Sequence, residues 1–133
     1  MKYLLDTNIC IYLIRQHPAS VVREMVKQEI GDVGISSVTV AELQFGVAKS
    51  AHADRNRDAL EKFIAPLVIA NFDTTAATHY GRIRAILEQR GTPVGSLDTL
   101  IAAHALGLDV TLVTNNVREF GRVPDLRVIN WAA

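Results

Sequence analysis

Residues 3–8 read YLLDTN, an apolar triplet followed at once by a carboxylate and two further polar residues. A short apolar run of this kind is typical of a strand buried on both faces of a parallel sheet. The residues that follow have the apolar period of a helix, which we predict from about Asn8 to Arg15, before the break at Pro18. The chain therefore begins with a strand–helix unit that has Asp6 at its junction.

The alternation of strand and helix continues along the rest of the chain. Further strands are predicted over residues 33–36, 67–70, 110–113 and 127–129. Further helices are predicted over residues 19–28, 54–65, 74–90 and 97–106. One more helix is predicted between the second and third strands, from a cap at Ser37 or Thr39 to about residue 49. Ser96 is the predicted cap of the last helix, and Gly91 and Gly107 mark the ends of the last two helices. Alternation of this kind is typical of βαβ units. The sequence therefore predicts an α/β fold, a three-layer α/β/α sandwich with a central parallel sheet, as a single domain over residues 1–133.

Composition excludes several classes of protein. Fourteen basic and fourteen acidic side chains give a formal net charge of zero, whereas a general binder of polyanions has a basic excess. Any nucleic acid must therefore be held by a local patch or through metal ions. A single cysteine rules out a disulfide within the chain, and Asp6 interrupts the short apolar run at the N-terminus. No apolar stretch approaches the length of a membrane span, so we expect a soluble cytoplasmic protein.

Polar side chains lie where the predicted strands end. Asp6 follows the first strand, Glu42 lies in the first turns of the helix after the second strand, and Asp98 lies in the first turn of the helix predicted from residue 97. Asn115 and Asn116 directly follow the fourth strand. In an open parallel sheet, ligands bind beyond the carboxyl ends of the strands. We therefore expect these side chains to lie at one edge of the sheet.

Each of these residues also has a purely structural interpretation. Asp6 is a good helix N-cap, and Asp98 in a first turn interacts favourably with the helix dipole. A lone Glu such as Glu42 is commonly exposed to solvent, and a pair of Asn residues commonly forms a turn. This interpretation weakens for the set as a whole, because Asp6 and Asp98 are both flanked by apolar residues. Carboxylates that lie close together in partly buried surroundings repel one another, and a divalent cation removes that repulsion.

The ligand chemistry of the set favours Mg²⁺ or Mn²⁺. All the candidate ligands are oxygens, and no cluster of His and Cys suggests Zn²⁺. A divalent cation activates water and neutralises charge on an attacked phosphate, which are the two requirements of phosphodiester hydrolysis. The sequence contains no GxSxG motif, P-loop or Cys–His pair that would indicate a covalent nucleophile or a nucleotide cradle.

Four segments in order resemble the PIN-domain ribonucleases, and more narrowly the VapC-type toxins of bacterial toxin–antitoxin pairs. The segments are LLDTN at 4–8, SSVTVAEL at 36–43, GTPVGSLDTLIAAHA at 91–105 and LVTNNVREF at 112–120. Each segment alone is weakly specific. Together, in this order and over nearly the whole chain, they are fairly specific.

The resemblance implies the PIN sandwich fold and endonucleolytic cleavage of RNA that depends on Mg²⁺, with Mn²⁺ as a substitute. The first three acidic positions of the family fall on Asp6, Glu42 and Asp98, which are therefore the expected catalytic residues and metal ligands. A fourth acidic position falls on Asn116, which we count with the catalytic residues although its amide supplies no charge. We therefore expect one firmly bound ion, leave a second open, and regard Glu119 as a residue that can compensate.

The resemblance also implies partners. Proteins of this kind form homodimers and are silenced by a small cognate antitoxin of the VapB type. The RNA that is cut is not evident from the sequence, and initiator tRNA is the first candidate because some relatives cut it. No membrane partner is expected.

Two other functions remain open on the sequence alone. A PIN-like scaffold that only binds RNA or a partner is favoured by the missing fourth acid and disfavoured by the three acids that are present. A phosphatase of the haloacid-dehalogenase type also has an Asp after its first strand, but it uses DxD, and Asn8 stands at the third position here. That type of phosphatase also lacks an element equivalent to the helix that carries Glu42.

Several further residues surround the expected site. Arg118, beside the TNN segment, is the first candidate for contact with RNA phosphate. Thr7, Asn8 and Thr114 can hydrogen-bond the carboxylates or waters on the cation. His104 is interpreted as a structural residue of its helix rather than as a metal ligand.

Overall fold

A parallel sheet of five strands runs through the middle of the molecule, in the order β3-β2-β1-β4-β5. The computed structural model describes residues 1–133. The strands are β1 (Tyr3–Leu5), β2 (Val33–Ser36), β3 (Val68–Ala70), β4 (Thr111–Val113) and β5 (Val128–Ile129). The apolar run at the start of the chain forms the central strand, where Leu4 lies opposite Gly34 on one side and Leu112 on the other.

Seven helices cover the two faces of this sheet. They are α1 (Thr7–Arg15), α2 (Ala19–Val26), α3 (Ser37–Ala48), α4 (Ala53–Ile64), α5 (Thr74–Gln89), α6 (Ser96–Leu108) and α7 (Val117–Phe120). Side chains alternate across a strand, so Leu4 packs in the core formed with α5 and α6 while Leu5 packs in the core formed with α1 to α4. The predicted three-layer α/β/α sandwich is confirmed. None of the helices combines the length and the apolar character that a membrane span requires.

Most elements begin and end within two residues of their predicted bounds. The strands β3, β4 and β5 each begin one residue later than predicted, and α2 ends at Val26 rather than at residue 28. The helix α7 was not predicted at all. It has four residues, which is too short for an apolar period to show, and the Asn116 side chain accepts a hydrogen bond from the Glu119 N–H to cap it.

The predicted cap of α3 was wrong. Ser36, the last residue of β2, is the cap, and its hydroxyl accepts a hydrogen bond of 3.0 Å from the Val38 N–H. The strand leads directly into the helix, so its last residue already has the extended backbone that a cap needs. The Ser37 hydroxyl instead accepts from the Phe72 N–H at 3.0 Å, which joins the start of α3 to the segment before α5.

The predicted ends of α6 were also wrong. Ser96 is its first helical residue, and Gly95 occupies the cap position without a side-chain hydrogen bond. The helix continues past Gly107 and ends at Asp109, which has the left-handed backbone (φ 55°) that Asp tolerates. A Cβ atom on Gly107 would lie 3.4 Å from the Ala76 nitrogen. This glycine therefore permits the close approach of α6 to α5 rather than ending the helix.

Candidate active site

The candidate site lies at the carboxyl ends of β1 and β4. Asp6 directly follows β1, is 3% exposed, and caps α1 by accepting a hydrogen bond of 2.9 Å from the Ile9 N–H. The Thr114 side chain, which directly follows β4, also hydrogen-bonds to the Asp6 carboxylate. The capping role that sequence suggested for Asp6 is therefore present, and its second oxygen remains available for other contacts.

Glu42 reaches this edge from α3. The helix begins at the end of β2, so residue 42 lies in its second turn. The Thr7 hydroxyl, at the start of α1, donates a hydrogen bond of 2.8 Å to Glu42 Oε1 and lies 3.5 Å from the Thr39 hydroxyl. Thr7 therefore joins the starts of α1 and α3 and orients the Glu42 carboxylate next to Asp6.

Asp98 lies in the first turn of α6, beside a carboxylate from α7. Burial first, and then the charge and hydrogen bond of Glu119, raise the pKa of Asp98 from its ordinary value of 3.8 to about 7. The charges of Asp6 and Glu42 raise it further by smaller amounts. Because the charges of Glu119, Asp6 and Glu42 all act on Asp98, the four acidic side chains share one electrostatic environment.

Burial is also the main reason that the pKa of Asp6 is raised, while its hydrogen bonds from Thr114 and from the Ile9 backbone oppose the shift and Glu42 adds to it. None of the six ion pairs in the molecule includes any of these four carboxylates. No three acidic, His or Cys side chains are already arranged as a coordination sphere. The site therefore concentrates negative charge on oxygen donors that would have to adjust slightly to enclose a cation.

Asn116 contacts Glu119 rather than the other three acids. Its Nδ2 donates to Glu119 Oε2 at 3.0 Å, and its Oδ1 accepts from the Glu119 N–H at 3.3 Å. The second oxygen of the same carboxylate, Oε1, accepts from the Gly95 N–H at 3.1 Å. The side chain at the family's fourth acidic position therefore holds in place a carboxylate that lies one helical turn later.

The residues that sequence reasoning underestimated are those that depend on α7. Glu119 was considered only as compensation for Asn116, and the spacing of three residues in TNNVREF is the signal that joins them once a helical turn is recognised. Asn115 makes no hydrogen bond to these acids, and its Nδ2 donates a hydrogen bond of 2.8 Å to the Tyr12 hydroxyl of α1. Of the three predicted supporting residues, Thr7 and Thr114 hydrogen-bond carboxylates through their side chains, and Asn8 contributes its backbone to Asp6.

Comparison with known proteins identifies the family and the fold of the chain. Residues 3–126 match the PIN domain family. The chain is 46% identical to the tRNA(fMet)-specific endonuclease VapC of Shigella flexneri over 99% of each protein. It is 43% identical to Ribonuclease VapC2 of Rickettsia felis over 98% of each.

A solved structure of a relative has the same fold. The chain superimposes with a TM-score of 0.93 on a chain of DNA-bound VapBC from Salmonella typhimurium, at 44% identity and over 98% of each chain. These matches cover the segments that carry all four carboxylates, and they leave the haloacid-dehalogenase alternative without support. From its sequence and its fold, the chain belongs to the PIN-domain family and, within it, to the VapC ribonucleases.

Proposed function

We propose that this protein is a metal-dependent endoribonuclease that acts as the toxin of a toxin–antitoxin pair. The observation that carries the proposal is the group of four carboxylates, Asp6, Glu42, Asp98 and Glu119, which have no basic partner. The charges of the other three raise the pKa of Asp98, and the charge of Glu42 raises the pKa of Asp6. A folded protein retains such repulsion only where something else offsets it.

A divalent cation fits this group by its chemistry. Every donor is a carboxylate oxygen, which is the ligand type that Mg²⁺ and Mn²⁺ prefer. Asp6, Glu42 and Asp98 would hold the ion, with Mg²⁺ as the natural metal and Mn²⁺ as a substitute. When bound, the cation would supply an activated water and neutralise charge on the attacked phosphate. Glu119 adds a fourth carboxylate. The site is therefore not limited to the three acids that remain when Asn116 stands at the family's fourth acidic position.

The surrounding residues fix the direction of each carboxylate. Thr7 holds Glu42, and Thr114 together with the Ile9 N–H holds Asp6. Glu119 is held by hydrogen bonds from the backbone of Gly95 and the side chain of Asn116. Supporting contacts of this kind commonly change metal affinity by about 10–100-fold when they are removed. The hydrogen bonds that orient the site thus come from three parts of the chain, residues 7–9, Gly95 and residues 114–116.

The substrate and partner follow from the relatives. One relative is named as specific for tRNA(fMet), and the solved relatives include VapBC complexes of a toxin with its antitoxin. We propose initiator tRNA as the substrate, a VapB-type antitoxin as the silencing partner and a homodimer as the assembly.

Replacement of Asp6 tests the proposed reaction. The protein freed of antitoxin should cleave RNA with Mn²⁺, and Asp6→Ala should lower the rate by about 100-fold or more. Asp6→Asn should be as inactive although it keeps the hydrogen bond that caps α1, which separates loss of chemistry from loss of folding.

Asp54, a fully exposed acid in the first turn of α4, provides the matched control. Asp54→Ala removes the same kind of charge and should leave the rate unchanged. Equal cleavage by the wild type and both Asp6 variants would refute the catalytic role and favour a PIN-like module that only binds RNA or protein. Cleavage that persists after chelation of divalent cations would refute the metal requirement.

A further inference from the structure

A buried histidine joins the two helices that carry Glu42 and Asp98. His104 of α6 is 1% exposed, and its Nδ1 lies 2.8 Å from the hydroxyl of Ser36, 68 residues earlier in the chain. Ser36 is itself completely buried and caps α3. This contact connects the interior of α6 to the first residue of the helix beside it.

A neutral ring with its hydrogen on Nε2 fits this contact. The Ser36 oxygen already accepts from the Val38 N–H at 3.0 Å, so its single hydrogen is free to point at His104 Nδ1. The imidazole then accepts at Nδ1 and carries its own hydrogen on Nε2. Burial lowers the pKa of His104, against weaker opposing effects of Asp73 and the Asn71 backbone, which agrees with a neutral ring.

The other side of the ring faces the segment between β3 and α5. Phe72 packs edge-on against the imidazole with ring centroids 5.4 Å apart, and its N–H donates to the Ser37 hydroxyl. His104 Nε2 is buried and makes no hydrogen bond. Packing therefore restrains the plane of the ring, and the hydrogen bond to Ser36 restrains its Nδ1 edge.

The contact lies in the two parts of the chain that carry Glu42 and Asp98, so it can affect the positions of both carboxylates. Ser36 lies six residues before Glu42, and Asp98 lies six residues before His104. Six residues correspond to about 9 Å along a helix axis. A change at the contact would shift α3 and α6 relative to each other, and each of these helices carries one of the proposed ligands.

We infer that His104 is a positioning residue, whose neutral imidazole accepts a hydrogen bond from the Ser36 hydroxyl and thereby sets the relative position of α3 and α6, the helices that carry the proposed ligands Glu42 and Asp98. The inference rests on the proposed function, because it assumes that these two acids bind a cation. It concerns a residue that touches neither the cation nor the RNA.

Direct measurement of Mn²⁺ binding by titration calorimetry tests the inference. His104→Leu removes both ring nitrogens and should weaken Mn²⁺ binding by about 10–100-fold. Asn places an amide near the position of Nδ1, so His104→Asn should recover most of the affinity. Gln places its amide near Nε2, so His104→Gln should not.

Ile83→Val is the matched control for lost packing. Ile83 is fully buried in the same core as α6 and is far in sequence from the contact. It should lower the melting temperature and leave Mn²⁺ affinity unchanged. All variants are compared at a temperature at which circular dichroism shows them folded.

The results separate the two proposals. The inference is overturned if the wild type binds Mn²⁺ and His104→Leu binds it equally well. It is also overturned if Ile83→Val loses Mn²⁺ affinity in parallel with its stability, because His104 would then have only a packing role. If His104→Leu fails to fold, equal affinities of His104→Asn and His104→Gln overturn the inference, and the expected difference between them supports it. Failure of the wild type to bind Mn²⁺ or to cut RNA would instead refute the proposed function.

Discussion

At the scale of single residues, Asp98 shows how a carboxyl group of the candidate site opposes folding. Its pKa is raised from 3.8 to about 7 by burial and by Glu119. Below pH 3.8 the group is protonated in both the folded and the unfolded chain, so the shift has no effect on stability. Between the two values the unfolded chain loses its proton first, and above about 7 the full destabilisation applies.

Neutralising Asp98 should therefore stabilise the protein without divalent cations. At pH 8 and in the presence of a chelator, we expect Asp98→Asn to raise the melting temperature by about 4–11 °C, or about 1–3 kcal/mol, while abolishing RNA cleavage. The gain should largely disappear at pH 4, where the wild-type carboxyl group is protonated in the folded state and only partly ionised in the unfolded chain. Differential scanning calorimetry at the two pH values measures both effects.

Added Mn²⁺ supplies the complementary control. The ion should raise the melting temperature of the wild type and change that of Asp98→Asn much less, since a ligand stabilises only the state that binds it. A variant that is less stable than the wild type at pH 8 would contradict the assignment of repulsion at this site.

Three of the four acids of the candidate site could be placed from sequence, because Asp6 directly follows a recognisable strand and Glu42 and Asp98 lie in the first two turns of recognisable helices. Asp6 and Glu42 needed only the order of the elements. Glu119 could not be assigned in the same way, because its position depends on a helix of four residues and on hydrogen bonds from Asn116 and Gly95. Contacts between distant parts of a chain leave no periodic signal.

At the scale of elements, two glycines differ in the space available for a side chain. Gly34 lies in β2, where an added Cβ would come within 2.8 Å of the Val68 carbonyl oxygen of β3. Gly81 lies in the middle of α5 and has nothing within 4 Å of the same position. The first glycine allows two strands to pair closely, whereas the second weakens a helix without serving any contact in the chain.

Alanine at each position should therefore have opposite effects on stability. Gly34→Ala should lower the free energy of unfolding by about 1–3 kcal/mol, because the clash involves backbone that cannot move aside easily. Gly81→Ala should raise it by about 0.5–1 kcal/mol, because alanine restricts the unfolded chain and favours the helix. Urea unfolding of the two variants beside the wild type measures both changes, and a loss of stability in Gly81→Ala would contradict the open space at that position.

Element types were predictable and element ends were less so. Apolar runs and helical periods identified every strand and six of the seven helices, since burial against the sheet fixes those patterns. The caps depended on geometry that composition does not specify. Ser36, Ser37 and Thr39 are equally good capping types, and only the direct passage of β2 into α3 selects the first of them.

At the scale of the whole molecule, a net charge of zero means that RNA cannot be attracted by overall charge. Binding must depend on where the basic side chains lie. Arg118 is exposed on α7, one residue from Glu119 at the candidate site, whereas Lys2 precedes β1 at the opposite edge of the sheet. The two residues provide the same charge at very different distances from the acids.

Arg118→Ala should reduce the slope of log affinity for tRNA against log salt concentration by about 0.7–0.9, the value of one phosphate contact. Lys2→Ala should leave the slope unchanged. Binding is measured by fluorescence anisotropy without divalent cations, so that the RNA stays intact. Equal slopes for both variants and the wild type would show that Arg118 does not contact phosphate.

The fold class was predictable at this scale, whereas the order of the strands was not. The βαβ alternation limits the architecture to a parallel sheet covered on both faces. It does not specify that β1 pairs with β2 on one side and β4 on the other. The pairing of β1 with β4 joins residues more than a hundred positions apart, such as Tyr3 and Thr111. The meeting of the candidate acids at one edge follows from this arrangement together with the helices that begin there.

The hydrogen bond from the Ile9 N–H to Asp6 has a genetic consequence if the protein is toxic when its antitoxin is absent. Cells that survive its expression would carry mutations that inactivate it, and substitutions at Asp6 would be among them. A change to Asn preserves the cap of α1 and leaves a folded protein that can still bind antitoxin, whereas most other changes loosen the first helix as well. Survivors with Asn at this position would therefore accumulate an intact but inactive toxin, while other survivors would lose the protein itself to degradation.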